Sequence, residues 1–237
     1  TATSETKQGT SVATIGAGVF SALNSPSTVD YVPEPNIAGG VVALPQAKVT
    51  TLRSVAAPAF TTTINPSGVP ASDTSALQAA INASATRAGL TWIKLADGFR
   101  AQTTTGISLP ERTVAGSTIV EAVNINNYAA EGSLCAPNLM GAAPKIITQT
   151  SEPALRTLKR ATNYRFGGIE FFNMAATPTN NFTYQLIRIG NANKADGANA
   201  ELAVTNLSDG IVLDRYYIHA SAGTQIQHGV VLNCKAA

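Results

Sequence analysis

Two segments of the chain share one apolar pattern at a separation of 47 residues. "YRFGGIEFF" at 164–172 aligns with "IVLDRYYIH" at 211–219, and "LIRIG" at 186–190 is followed at a similar separation by "VVLNC" at 230–234. A long repeat made of short β runs and polar loops is typical of a solenoid, in which successive units stack on one another. We therefore predict stacked parallel strands from about residue 90 to 237, with these side chains inside: Phe166, Ile169, Phe171, Leu213, Tyr216 and Ile218.

The apolar pattern slips by one position in the middle of each repeat. Apolar residues fall at i, i+2, i+5 and i+7, whereas one straight strand would alternate strictly. The slip contains Gly167-Gly168 in the first repeat and Asp214-Arg215 in the second. Glycine and aspartate both tolerate the left-handed backbone of a tight corner. We therefore predict that Asp214 stacks over the glycine pair at a corner between two strands, and that Arg215 points outward.

One segment has the pattern of an α-helix, "SDTSALQAAINASATRAG" at 72–89. Ser72 or Asp73 is a suitable N-cap, and Gly89 is suitable as the residue that ends the helix. Small and apolar side chains recur on one face at helical spacing, which predicts a helix over about 73–88 that lies against the first strands.

Residues 1–60 differ in composition from the rest of the chain. They are rich in Thr, Ser, Ala, Val and Pro, with turn signals such as "VPEPN" and no long helical pattern. We interpret them as an attachment or packing segment and assign residues 61–237 to the main domain.

The low charge limits the functional classes. Charged residues make up 13% of the chain, about half of the usual ~25%, so polar uncharged side chains must cover the surface. This favours an extracellular, cell-surface or virion location. The net charge is +2 without a dense basic run, which argues against a nucleic-acid partner, and no apolar run is long enough for a membrane span.

The two cysteines do not predict a metal site. Cys135 and Cys234 are far apart and neither belongs to a CxxC motif. They are either a disulfide or two free thiols, and the sequence leaves both readings open. No metal and no cofactor are predicted.

Two stretches resemble a known family. "DTSALQAAINAS" followed by "GLTWIKLADGFR" is similar to the unit that opens right-handed parallel β-helix proteins of the pectate-lyase-like superfamily, "DT-x-ALQ-A-A-I…G…V-x-L-P-x-G". The run from "PKIITQTSEPALRT" to "IVLDRYYIHASAGTQIQHGVVLN" is similar to coils of secreted bacterial β-helix proteins. The resemblance covers about residues 60–237.

The resemblance implies an all-β fold, a right-handed parallel β-helix whose N-terminal end is capped by the α-helix. It is specific for the fold and not for an activity, because the superfamily contains lyases, hydrolases, epimerases, phage tailspikes and adhesins. "IKLADG" departs from the family's "LP-x-G". The family also continues for several coils beyond a point like "NCKAA", so we expect either a fragment of a longer protein or an end capped by another subunit, as in a homo-oligomer.

Few side chains are candidates for chemistry. The repeat places Glu170 beside Tyr217, so Glu170, Tyr217 and His219 are expected on one exposed face, either as a sugar-binding groove or as an ordinary solvated surface. Asp209 is one more acid of this region. The weaker catalytic candidates are Asp214, Arg215, His219 and His228. Lyases of the superfamily take a metal-binding Asp from a "W-I-D-H" strand, and "V-L-D-R" shares only its Asp.

Three functions remain open. The first is attachment to polysaccharide by an extracellular or virion-surface β-helix, with or without surface assembly. The second is a polysaccharide lyase or glycoside hydrolase whose catalytic coils are largely missing from this chain. The third is a purely structural filament or capsid-associated subunit. Whether the chain is an enzyme is left undecided by its sequence.

Overall fold

The computed structural model describes residues 58–128, 137–174, 182–190 and 206–232. Nearly all of the attachment segment predicted for residues 1–60 lies outside these ranges. So do Cys135 and Cys234, whose pairing is therefore left open.

The described residues form one α-helix, thirteen short strands and two short 3-10 turns. The helix, α1, spans Pro70–Ala85, and the turns span Ile125–Asn127 and Pro137–Leu139. The strands are β1 (Phe60–Ile64), β2 (Gly89–Leu95), β3 (Arg100–Thr103), β4 (Ile107–Leu109), β5 (Gly116–Ala122), β6 (Lys145–Thr148), β7 (Leu155–Thr157), β8 (Thr162–Gly167), β9 (Glu170–Asn173), β10 (Phe182–Ile189), β11 (Asp209–Asp214), β12 (Tyr217–Ala220) and β13 (Gln225–Leu232).

The strands form three sheets in which all neighbouring strands are parallel. Sheet I has the order β1-β2-β5-β8-β11, sheet II the order β3-β6-β9-β12, and sheet III the order β4-β7-β10-β13. From β2 onward the chain visits the sheets in the fixed order I, II, III, and we call each set of three successive strands a round. The fold is thus mainly β and its sheets are parallel, as the sequence predicts.

The register confirms the repeat. In sheet I Ile211 lies opposite Tyr164 and Leu213 opposite Phe166, and in sheet II Ile218 lies opposite Phe171. The similarity between "LIRIG" and "VVLNC" also reflects strand pairing, because β10 and β13 pair in parallel. A single sequence offset therefore sets the stacking of the third and fourth rounds in two sheets.

The core consists of the side chains that alternate inward from the three sheets. Two inward columns are Ile93, Val120, Phe166 and Leu213 in sheet I, and Ala101, Ile146, Phe171 and Ile218 in sheet II. Five of the six side chains predicted to lie inside belong to this core or pack against it. The sixth prediction is wrong, because Tyr216 is 37% exposed. It follows the corner of the fourth round, which in the described chain has a neighbouring round on one side only.

The helix begins earlier than predicted, at Pro70, and ends at Ala85 instead of residue 88. Proline suits the first helical position, since its φ is preset and the missing N–H has no helical partner there. The N-cap is Val69 and makes no side-chain hydrogen bond. Asp73 is not the cap: its carboxylate accepts the backbone N–H of Ser67 at 2.8 Å.

Side chains of α1 form hydrogen bonds with the backbone of β3 and β4, the first-round strands of sheets II and III. Asp73 accepts the N–H of Arg100 (3.3 Å), and Thr74 donates to the carbonyl of Gln102 (2.9 Å). Gln78 both donates to the Ser108 carbonyl and accepts the Ser108 N–H, each at 2.8 Å. The polar residues of "DTSALQ" thereby satisfy backbone groups that would otherwise lack a partner on the edge strands β3 and β4.

The predicted corner is present between sheets I and II. Gly168 has φ +66° and Arg215, its counterpart in the next round, has φ +47°, while Asp214 lies opposite Gly167. Glycine is required at 168 for a second reason, because an added Cβ would lie 3.0 Å from Ile125 and 3.1 Å from Tyr128. The loop after β5 therefore packs directly onto this corner.

Candidate functional site

The outward face of sheet II carries two columns of side chains, since residues of a strand alternate between the two faces. One column is Arg100, Lys145, Glu170 and Tyr217, and the other is Gln102, Ile147, Phe172 and His219. Stacking thus brings together side chains that are far apart in the sequence.

All of these side chains except Tyr217 line a groove of about 310 Å³. Its lining consists of Pro70, Arg100, Gln102, Lys145, Ile147, Glu170, Phe172, Met174 and His219. The described residues of the lining combine two cations and one carboxylate with an aromatic and aliphatic surface. Such a combination of apolar lining and a few directed polar groups is typical of a ligand site.

Glu170 is the central polar group of the groove and is only 4% exposed. Its Oε2 pairs with the Lys145 ammonium, and its Oε1 lies 2.7 Å from His219 Nε2. The other ring nitrogen, Nδ1, lies 3.2 Å from the carbonyl oxygen of Ala220. Both ring nitrogens therefore face an oxygen atom, one of the Glu170 carboxylate and one of the backbone.

His219 is held between two aromatic rings. It stacks on Tyr217 with the ring centroids 4.7 Å apart, and its centroid is 4.5 Å from that of Phe172. Tyr217 in turn packs against the small apolar cluster that contains Ile125 and Tyr128. The orientation of the imidazole is therefore fixed both by its hydrogen bonds and by ring packing.

The structure brings Glu170, Tyr217 and His219 together, as the repeat implies. The expectation that all three are exposed is wrong for Glu170, whose carboxylate lies beneath Lys145 and His219. Tyr217 does not line the groove. Glycan binding by the three residues stays a prediction.

His228 is placed elsewhere. It lies on β13 of sheet III, opposite Gln185, and is exposed. It therefore does not join His219 in one site, and the two histidines offer a matched pair of positions for testing the groove.

Asp214 and Arg215 belong to a buried network at the corner. The Asp214 carboxylate pairs with Arg165 and accepts hydrogen bonds from Arg215 Nε (3.1 Å) and Nη2 (2.9 Å). Arg215 Nη1 also lies 3.4 Å from Asn126 Oδ1. The prediction that Arg215 points outward is wrong, since it is 5% exposed. The left-handed backbone turns its side chain back onto the carboxylate and the loop after β5, and neither residue lines the groove.

Sequence reasoning missed two cations and one half-buried aromatic ring of the groove: Arg100, Lys145 and Phe172. The run "KIITQ" is recognisable as a β segment, but its register is not, because Lys145 pairs with Glu170 at an offset of 25 residues instead of 47. Only the phenylalanine had a signal, because the repeat aligns it with His219 and it follows the inward Phe171, so it must alternate outward.

Within the described ranges no group of three or more His, Cys, Asp or Glu side chains is placed to hold a metal ion. A search of the same residues finds no helix that is both long and apolar enough to span a membrane.

No protein-family model matches the chain, and no curated protein or solved structure matches it either. The groove and the strand pairing that forms it are therefore the features from which a function can be inferred.

Proposed function

We propose that the three sheets are the faces of a right-handed parallel β-helix, with each round forming one coil and α1 covering the first. The constant order of the sheets and the in-register columns support this assignment. Right-handedness is supported by a general rule, since crossovers between parallel strands of one sheet are right-handed in about 98% of cases.

We further propose that the protein recognises polysaccharide at a cell or virion surface, and that the groove on sheet II is its binding surface. The observation that carries this proposal is the juxtaposition of directed polar groups with the Phe172–His219 surface. Sugars offer hydroxyl groups to the polar side chains and C–H faces to aromatic rings, so such a groove matches their chemistry.

The number of carboxylates in the lining and the contacts of Glu170 favour recognition over hydrolysis. A glycoside hydrolase uses two carboxylates roughly 5 to 10 Å apart, whereas Glu170 is the single carboxylate among the described residues of the lining. Both oxygens of Glu170 are already engaged by Lys145 and His219. A lyase or hydrolase with its catalytic coils elsewhere remains the second candidate, and a purely structural subunit the third.

An extracellular or virion location fits the small share of charged residues, 13%. The end of the stack formed by β11–β13 is the place where another subunit, including a second copy, would cap the sheets. A partner there is expected to add strands, because the outer edges of β11–β13 have no neighbour in the sheet order of the described chain.

The test compares two histidine variants of the purified chain on a glycan array. His219→Ala removes a ring that lines the groove, whereas His228→Ala removes an exposed ring on another sheet. We expect His219→Ala to abolish or strongly weaken the binding seen with the wild type, and His228→Ala to leave it unchanged. Circular dichroism of both variants checks that the fold is retained.

Three other results would change the assignment. Release of unsaturated or reducing-end products from a bound polysaccharide would favour the enzyme. Self-assembly of the chain without binding to any glycan would favour the structural subunit. Equal loss of binding in both variants would show that the glycan does not occupy this groove.

A further inference from the structure

The charges of the groove do not cancel. Lys145 is paired with Glu170, so these two charges offset each other. Arg100 lies next to Lys145 in the same outward column, and the adjacent strands place their backbones about 4.8 Å apart. The groove therefore carries one cation more than it has carboxylates among the described residues that line it.

Arg100 is exposed, and its guanidinium has no hydrogen-bond or ion-pair partner in the described chain. Its backbone is nevertheless fixed, because its N–H donates to Asp73. Among the described residues the side chain is thus an unpaired cation on an anchored strand, near Pro70 of α1, which also lines the groove.

A guanidinium presents a planar set of donors that matches the oxygens of carboxylate, sulfate and phosphate groups. We infer that the groove selects anionic glycans and that Arg100 binds the anionic substituent, while Phe172 and His219 contact the sugar ring. The inference rests on the proposed function and names the class of glycan. The carboxylate of Glu170 does not oppose this, since Lys145 already compensates its charge.

The experiment uses a glycan array on which each carboxylated, sulfated or phosphorylated glycan is printed beside its carboxyl-reduced, desulfated or dephosphorylated form. Wild-type protein is expected to bind at least one acidic glycan about tenfold more tightly than its neutral form, as one charge-assisted hydrogen bond would give. Arg100→Gln should remove that preference, so that the acidic and the neutral form of the same glycan bind the variant equally well. The control is Arg160→Gln, which deletes an exposed cation outside the groove, one paired with Glu111.

Each outcome decides between the two proposals. Equal binding of acidic and neutral forms, or a preference that survives Arg100→Gln, overturns the inference and leaves polysaccharide recognition intact. An equal effect of both arginine variants shows that only net charge matters and also overturns it. No binding to any printed glycan overturns the proposed function together with the inference. The three acidic arms identify which anion is bound.

Discussion

Replacing Asp214 by Asn should strongly destabilise the protein. The change keeps the shape of the side chain and removes the negative charge that Arg165 and Arg215 share, and both guanidinium groups are almost fully buried. Removing one partner of a buried ion pair costs about 3 to 5 kcal/mol, because a buried charge loses its counterion. This applies to Arg215, whose other described contact is the neutral side-chain oxygen of Asn126. We therefore expect a loss of that size in the free energy of unfolding.

The measurement is equilibrium urea denaturation followed by far-ultraviolet circular dichroism, with the slope of the transition checked for each variant. Glu152→Gln is the control, since it makes the same acid-to-amide change in an exposed pair with Arg156 at 3.8 Å; it should cost at most about 1 kcal/mol. Asp214→Ala should resemble Asp214→Asn. If Asp214→Asn is as stable as the control, the buried network does not support the corner as argued.

Three further outcomes are expected. Gln78→Ala removes the partner of both backbone groups of Ser108 and should cost about 1 to 3 kcal/mol of unfolding free energy. Ser75→Ala, on the exposed face of the same helix, should cost less than about 0.5 kcal/mol in the same denaturation assay. Equal costs would refute the role given to the helix. Gly168→Ala should destabilise by about 1 to 3 kcal/mol, because it places a side chain at φ +66° in a crowded corner, and a neutral result in thermal unfolding would contradict the packing described. Burial raises the pKa of Tyr164 to about 12. The contribution of the neutral phenol to stability is therefore fully present below its unfolded pKa of about 10 and is lost as the pH rises through 12. Alkaline unfolding followed at the tyrosinate absorbance should show this loss, and Tyr164→Phe should lack it.

The stacking of the last two rounds could be predicted from the sequence because one offset governs two sheets there. Phe166 and Phe171 meet Leu213 and Ile218 at the same separation, so the alignment of the two segments is also their register. The earlier rounds have no such signal. Their loops differ in length, so no sequence repeat predicts that Lys145 pairs with Glu170.

The candidate site was predicted only in part, for the same reason. The meeting of Glu170 with His219 followed from the repeat, while the burial of Glu170 depends on a lysine whose register no pattern reveals. The burial of Arg215 likewise depends on Asn126, which is far away in the sequence. The start of the helix was misplaced because Asp73 binds backbone outside the helix, and a local capping rule does not consider such partners.

The unequal spacing of the rounds has a consequence for how such a protein can diverge. Neighbours in the column that begins at Arg100 are separated by 45, 25 and 47 residues, yet they occupy equivalent places on their strands. Inserting or deleting residues in the loops changes these separations and leaves the column in place, and the entropic cost of a longer loop grows slowly. A deletion of one residue inside a strand, in contrast, would exchange the inward and outward side chains beyond it. Variants that tolerate length changes should therefore have them in the loops, with the groove preserved.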